Sequence, residues 1–111
     1  MSYNFMSNIK DFSDVTNPSK SFVNVEINTE IEFFDRELIK HKASFLMIRA
    51  GYDDDFLIEL QPSGYCVYIP AGEMWSVDSI GEIDKFIVKK IFNSDGEEQS
   101  SGQIQWMMGY K

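Results

Sequence analysis

A chain of 111 residues can bury roughly two-thirds of its unfolded surface, so it reads as one domain that needs no covalent staple. Its single cysteine, Cys66, excludes an intrachain disulfide, and no apolar run reaches the roughly 18 residues that a membrane-spanning helix requires. Eighteen acidic against ten basic side chains give a formal charge of −8, a field that repels phosphate backbones and argues against direct nucleic-acid binding.

No basic-then-apolar leader opens the sequence and no lipidation motif is recognisable, so synthesis in a reducing cytoplasm is expected, with no membrane attachment. Nine Phe, five Tyr and two Trp make 14% of the chain aromatic. Such side chains suit pleated, half-covered surfaces, and the expectation is an all-β fold.

Residues 1–20 are rich in Ser, Asn and Asp, with isolated apolar positions, which is the composition of an N-terminal arm. Phe5, Ile9 and Phe12 are spaced four and then three apart, so they would share one stripe if the segment became helical. Two readings stand: a disordered leader, or an arm that docks on a neighbour through those residues. Asn17, Pro18 and Ser19 close the arm as a turn, and residues 21–111 are read as the folded domain.

Over residues 21–27, Phe22, Val23, Val25 and Ile27 are interleaved with Asn24 and Glu26, which predicts a half-buried strand. Residues 29–41 are ambiguous. Thr29 and Glu32 could form a capping box ahead of Ile31, Phe34 and Leu38 at helical spacing, yet Ile31 and Phe33 equally continue an extended pattern; strand plus loop is preferred. Residues 43–50 form a short apolar run ended by Gly51 and predict a buried strand. Tyr52 to Asp55 make a polar loop, and residues 56–60 another strand.

Residues 64–75, Gly-Tyr-Cys-Val-Tyr-Ile-Pro-Ala-Gly-Glu-Met-Trp, read as strand, corner, strand. Tyr65, Val67 and Ile69 fall on one face and Cys66 and Tyr68 on the other, both predicted to be covered. Pro70 removes a backbone donor and Gly72 can take positive φ, so the ladder must turn there. The preceding Gln-Pro-Ser-Gly makes a hairpin with the strand at 56–60. Residues 76–84 are read as a connection, and residues 85–92 as a strand with Phe86, Val88 and Phe92 on one face and Ile87 and Ile91 on the other. A polar tip follows over residues 93–102. The closing strand places Ile104, Trp106, Met108 and Tyr110 on one apolar face. Short strands between regular turns indicate a single-domain antiparallel β-sandwich.

Catalytic chemistry is sparse. His41 is the only histidine and stands between lysines, which favours a surface role over a general base. Cys66 lies in a predicted strand without a basic neighbour to stabilise its thiolate, so an inert buried thiol is expected. The acidic runs at residues 53–55 and 93–98 could offer oxygen ligands to calcium; the second begins like a calcium loop but lacks its alternating ligands and closing Glu, and a solvated hairpin tip is expected. The expectation is no enzyme, no cofactor and no metal.

The Gly64, Pro70 and Gly72 spacing resembles the second sequence motif of the cupins, with Trp75 at the position of that motif's metal-binding histidine. Tryptophan offers only an N–H donor, so the resemblance implies a jelly-roll-like bend without the metal. A second resemblance covers residues 43–111. The succession Ala-Ser-Phe-Leu-Met-Ile-Arg-Ala-Gly, Val-Tyr-Ile-Pro-Ala-Gly-Glu-Met-Trp, Lys-Phe-Ile-Val-Lys-Lys-Ile-Phe-Asn and Ile-Gln-Trp-Met-Met-Gly-Tyr resembles small all-β virion proteins of tailed bacteriophages. This implies a structural component for capsid decoration, a head fibre or a head-tail collar. It would assemble with copies of itself or other virion proteins, after synthesis in the bacterial cytoplasm. Phe5, Ile9, Phe12 and Trp75 are the expected interaction residues. The alternative is a metal-free, cupin-like small-ligand-binding domain with a pocket lined by Tyr65, Trp75 and Trp106.

Overall fold

Period-two alternation across most of the chain produces two antiparallel sheets packed face to face. The structure, a computed structural model, describes residues 4–11, 13–32 and 43–110. Ten strands are described: β1 (Asn4–Ser7), β2 (Val23–Glu26), β3 (Glu30–Glu32), β4 (Ala43–Ala50), β5 (Asp55–Gln61), β6 (Cys66–Ile69), β7 (Met74–Ile83), β8 (Lys85–Phe92), β9 (Glu98–Gln99) and β10 (Ser101–Tyr110). One α-helical turn, α1 (Ser13–Thr16), and a 3-10 turn at Pro18–Lys20 stand between β1 and β2.

In the first sheet β10 is central. It pairs with β4, which pairs with β7; on its other side it carries β2 along Ser101 to Ile104 and β1 along Met107 to Tyr110. In the second sheet β8 pairs with β5, which pairs with β6, while β3 and β9 share the opposite side of β8. The hairpins β5–β6 and β8–β9 stay within one sheet, whereas the connections from β2, β4, β6, β7 and β9 cross to the other. The closure of β6 and β7 on the same flank is therefore set by the corner at residues 70–73.

The inner faces interdigitate. Leu46, Ile48, Ala50, Ile104 and Met108 of the first sheet meet Phe56, Ile58, Leu60, Ile69, Phe86, Val88 and Ile91 of the second, all buried. Each such side chain contributes about 1.5–3 kcal/mol by leaving water, offset by the entropy of ordering the chain. Trp106 stands opposite Ile48 and Ile48 opposite Trp75, so the two tryptophans share one row of the inner face. The Trp106 ring meets Phe86 of the second sheet edge-on, with centroids 6.4 Å apart.

Several expectations are corrected by this packing. A bulge shifts β8 against β5: Leu57 faces Lys90 while Ile58 faces Val88, leaving Lys89 as the extra residue. The bulge reverses the face of everything after it, so Ile91, and not Phe92, joins Phe86 and Val88 inside. Residues 76–83, expected as a connection, continue β7 alongside β4. β10 is covered on both faces, with Gln105 fully buried on the side expected to face water. In β2 only Val25 is buried, and Ile27 has left the strand for an exposed turn through Asn28, whose φ is +69°. Glu30–Glu32 is extended, while the preferred loop over the rest of 29–42, with His41, lies largely outside the described residues.

The N-terminal stretch does not present Phe5 and Ile9 on a helical stripe. Phe5 lies in β1 opposite Gly109, and across that glycine its ring meets Phe45 edge-on at 6.1 Å. Asn8 then bridges the gap between β1 and β2: its Oδ1 accepts from Trp106 N (2.7 Å) and its Nδ2 donates to Ser21 O (2.6 Å) and Ile104 O (3.2 Å). Beyond it, α1 lies over the outer face of β10 and β4. Gln105 Nε2 donates to Asp14 O (2.9 Å), and Arg49, opposite Gln105, donates to Val15 O. Phe12 lies outside the described residues.

Candidate functional site

The corner between β6 and β7 is tied down by residues that sequence reasoning had assigned to a solvated loop. Asp55 begins β5, and its carboxylate accepts from Ala71 N through Oδ1 and from the Tyr68 hydroxyl through Oδ2, both at 2.7 Å. The charged acceptor beside the phenol pushes the Tyr68 ionisation up from its ordinary value of 10. Gly72 takes φ +74° and its N–H donates to Gly51 O (2.9 Å), which lays the corner against the β4–β5 turn. Gly51 in turn donates to Gln103 O (2.8 Å), so one glycine joins the corner, the turn and β10.

Asp54 completes this knot. Its Oδ2 accepts from Gln103 N (2.9 Å), and it sits so close to Gly102 that a Cβ there would lie 3.0 Å from the carboxyl carbon and 2.9 Å from Ile91 Cγ2. Around the knot lies an open hollow of about 350 Å³, lined mainly by polar groups including Asn24, Asp53, Asp54 and Gln103. Two of the three carboxylates of the run are thus fixed as hydrogen-bond acceptors of the fold. No group of three His, Cys, Asp or Glu residues able to hold a metal occurs among the described residues. In the second acidic run, Asn93 Oδ1 accepts from Asp95 N (2.9 Å) and Glu97 N (3.0 Å), and Gly96 takes φ +81°, which closes the β8–β9 hairpin.

The chemistry left outward is apolar. β6 is an edge strand, and Tyr65, Cys66 and Tyr68 are exposed along it, the two tyrosines at 59% and 53%. Cys66 is therefore not the buried thiol expected from its strand, because among the described residues nothing is laid across the outer face of this edge strand. Tyr52 and Met74 extend the exposed surface around the corner.

Of the expected interaction residues, Trp75 is half-buried and packs against the core, Phe5 is exposed on the outer face of the first sheet, and Ile9 is half-buried. The structure does not bring them together. Ile48 stands in the row between Trp75 and Trp106, and Tyr65 is exposed at the edge of the other sheet. Sequence reasoning missed Asp55 as the corner's anchor. The available signal was an acidic residue at the start of a strand followed by a hairpin partner ending in a proline turn.

No protein-family model matches the chain, and no curated protein is similar to it. No helix among the described residues is long and apolar enough to cross a membrane.

Proposed function

We propose that the chain is a jelly roll that serves as a non-enzymatic structural component of a tailed-phage virion, assembling through protein–protein contacts. The observation that carries the reading is strand order. With β2 to β8 and β10 counted one to eight, the sheets run one-eight-three-six and two-seven-four-five, the winding of two Greek keys that viral capsid domains, lectins and cupins use. Further support comes from the uncharged, aromatic β6 edge, which offers a surface for a neighbour, and from a charge of −8 that suits the outside of a DNA-filled shell better than contact with DNA. Repetition in a symmetric assembly would let a modest contact hold through avidity.

Immunogold labelling of purified phage particles, with antibodies raised against the chain, tests this. Regularly placed label on heads, collars or fibres is expected. Protein confined to the soluble fraction, together with strong and saturable thermal stabilisation by a small molecule, would overturn it in favour of a metal-free ligand-binding domain.

A further inference from the structure

We propose that β6 is a self-pairing edge, through which two copies of this chain join antiparallel about a two-fold axis at Val67 and extend the second sheet from one copy into the next. The proposal rests on the assembly reading above and names the partner and the residues. Its basis is the backbone. Leu60 N donates to Tyr65 O (2.7 Å), and bonding direction alternates along an antiparallel strand, so Tyr65, Val67 and Ile69 direct their backbone groups to β5. Cys66 and Tyr68 direct theirs away from the sheet. Among the described residues no strand pairs with this row, and it ends there because Gly64 N is already bound to Leu60 O (2.7 Å) and Pro70 has no N–H.

These limits select one register. With the axis at Val67, Cys66 stands opposite the partner's Tyr68 and Tyr68 opposite the partner's Cys66, and both pairs exchange both backbone bonds. Moving the axis to Cys66 would call on Gly64, which is engaged; moving it to Tyr68 would call on Pro70, which cannot donate. The same limits choose the occupant. A long extended peptide would find only two residues to bond, whereas a second copy adds Cys66 and Tyr68 against their counterparts on one face and Tyr65 opposite the partner's Ile69 on the other.

Charge points the same way. A second copy of a −8 chain is repelled by most of this surface, yet no charged residue lies between Glu59 and Glu73, and in the register at Val67 every β6 residue meets an uncharged one. A stable interface buries about 800 Å² per partner, more than so short a row supplies. Pairing is therefore weak in dilute solution and reinforced where many copies are held together.

Cys66 supplies the probe. In this register the two Cys66 side chains are same-face diagonal neighbours, roughly 7–8 Å apart, within reach of a short bismaleimide. The full-length protein should give a crosslinked dimer whose yield rises with concentration, and Tyr68→Lys, which sets like charges beside the axis, should lose that band while its thermal unfolding stays cooperative. A wild-type protein that yields no dimer at any concentration, or a dimer that survives in Tyr68→Lys, overturns the proposal. Should Tyr68→Lys fail to fold, Cys66→Lys read by sedimentation replaces it: loss of the wild-type dimer supports the edge and its persistence overturns it. Particles that carry the label but do not crosslink at Cys66 defeat the edge and leave the virion reading standing, whereas a soluble crosslinked dimer without particle label defeats that reading and supports the edge.

Discussion

β6 and β10 come from the two long stretches of this chain that carry no charge, between Glu59 and Glu73 and between Glu98 and Lys111. On composition they are alike, yet the fold treats them oppositely. β10 sits at the centre of its sheet with strands on both sides and α1 across its outer face, so Ile104, Gln105 and Met108 are wholly buried. Among the described residues β6 has one neighbour and nothing over its outer face, so Cys66 and Tyr68 stay exposed, as does Tyr65 just ahead of the strand. Lack of charge at the centre of a sheet is explained by burial, because a charge there would be desolvated without a partner. At an edge burial does not explain the same lack: natural sheets blunt their edges with charge, proline or short length, and β6 has only its four residues and Pro70.

The largest test of this contrast is a truncation in the central strand. Ile104→Ala should destabilise the fold by about 2–5 kcal/mol, read from the urea midpoint, because it opens a cavity among side chains from both sheets. A cost below 1 kcal/mol would mean that β10 is not the packed centre.

Glycines sharpen the comparison next. Gly102→Ala places a methyl group 2.9 Å from Ile91 Cγ2 and 3.0 Å from the Asp54 carboxyl carbon. It should cost about 1–3 kcal/mol through overpacking and shift Asp54 from Gln103 N. Gly64→Ala, just ahead of β6, meets open space, and its cost of about 1–2 kcal/mol should come from the φ of +79° alone. A Gly102→Ala protein as stable as wild type would show that the knot at the end of β10 can relax.

Asp55→Ala should cost about 1–3 kcal/mol in chemical denaturation, since it leaves the Ala71 N–H of the corner without its charged acceptor. The same variant should bring the Tyr68 ionisation down toward its ordinary value in a spectrophotometric titration, because the group pushing it up is gone. A Tyr68 titration unmoved by Asp55→Ala would dissolve the clamp on β6.

The cover on β10 makes its stability depend on acid. The Ser21 side chain, then the backbone N–H groups of Lys10 and Asp11, hold the Asp14 carboxyl below its ordinary value of 3.8, against the burial that pushes it up. A lowered carboxylate stabilises the folded state above the unfolded value, and that contribution is lost as pH falls through the folded one. Protease cleavage within residues 8–20 should therefore rise below pH 3.8 before global unfolding. Simultaneous loss of the whole near-UV signal would mean that the cover and the sandwich are one cooperative unit.

The smallest effect belongs to the edge. Cys66→Ser should change stability by no more than about 0.5 kcal/mol, and the native thiol should react with maleimide in the folded protein. A thiol that reacts only after denaturation would place a cover over β6.

Much of the sandwich was legible because its cues are local. Apolar alternation with Gly51, Pro62 and Pro70 as punctuation marks off β4, β5 and β6, and the hairpin between the last two. The inward face of β8 was not legible past Val88: a run such as Phe-Ile-Val-Lys-Lys-Ile-Phe offers two phases, and only pairing with β5 puts a bulge at Lys89. β7 was hidden because an edge strand keeps polar residues such as Ser76 and Asp78 on its water side, which reads as a connection. Gln105 looked like a solvent-facing position, since nothing in its neighbourhood announces that α1, far away in sequence, lies across it. The acceptors of the corner were legible only as a polar run.

By itself the sequence determined the all-β class, the single unstapled chain, the turn at Pro70 and Gly72 and the acidity of the surface, because each follows from residue type and spacing within a few positions. Tertiary structure decided which uncharged strand became the centre and which the edge, which face of β8 turned inward after its bulge, and where Asp54 and Asp55 spent their oxygens. Those outcomes depend on pairings between residues far apart in the chain, and such pairings leave no periodic mark on either partner alone.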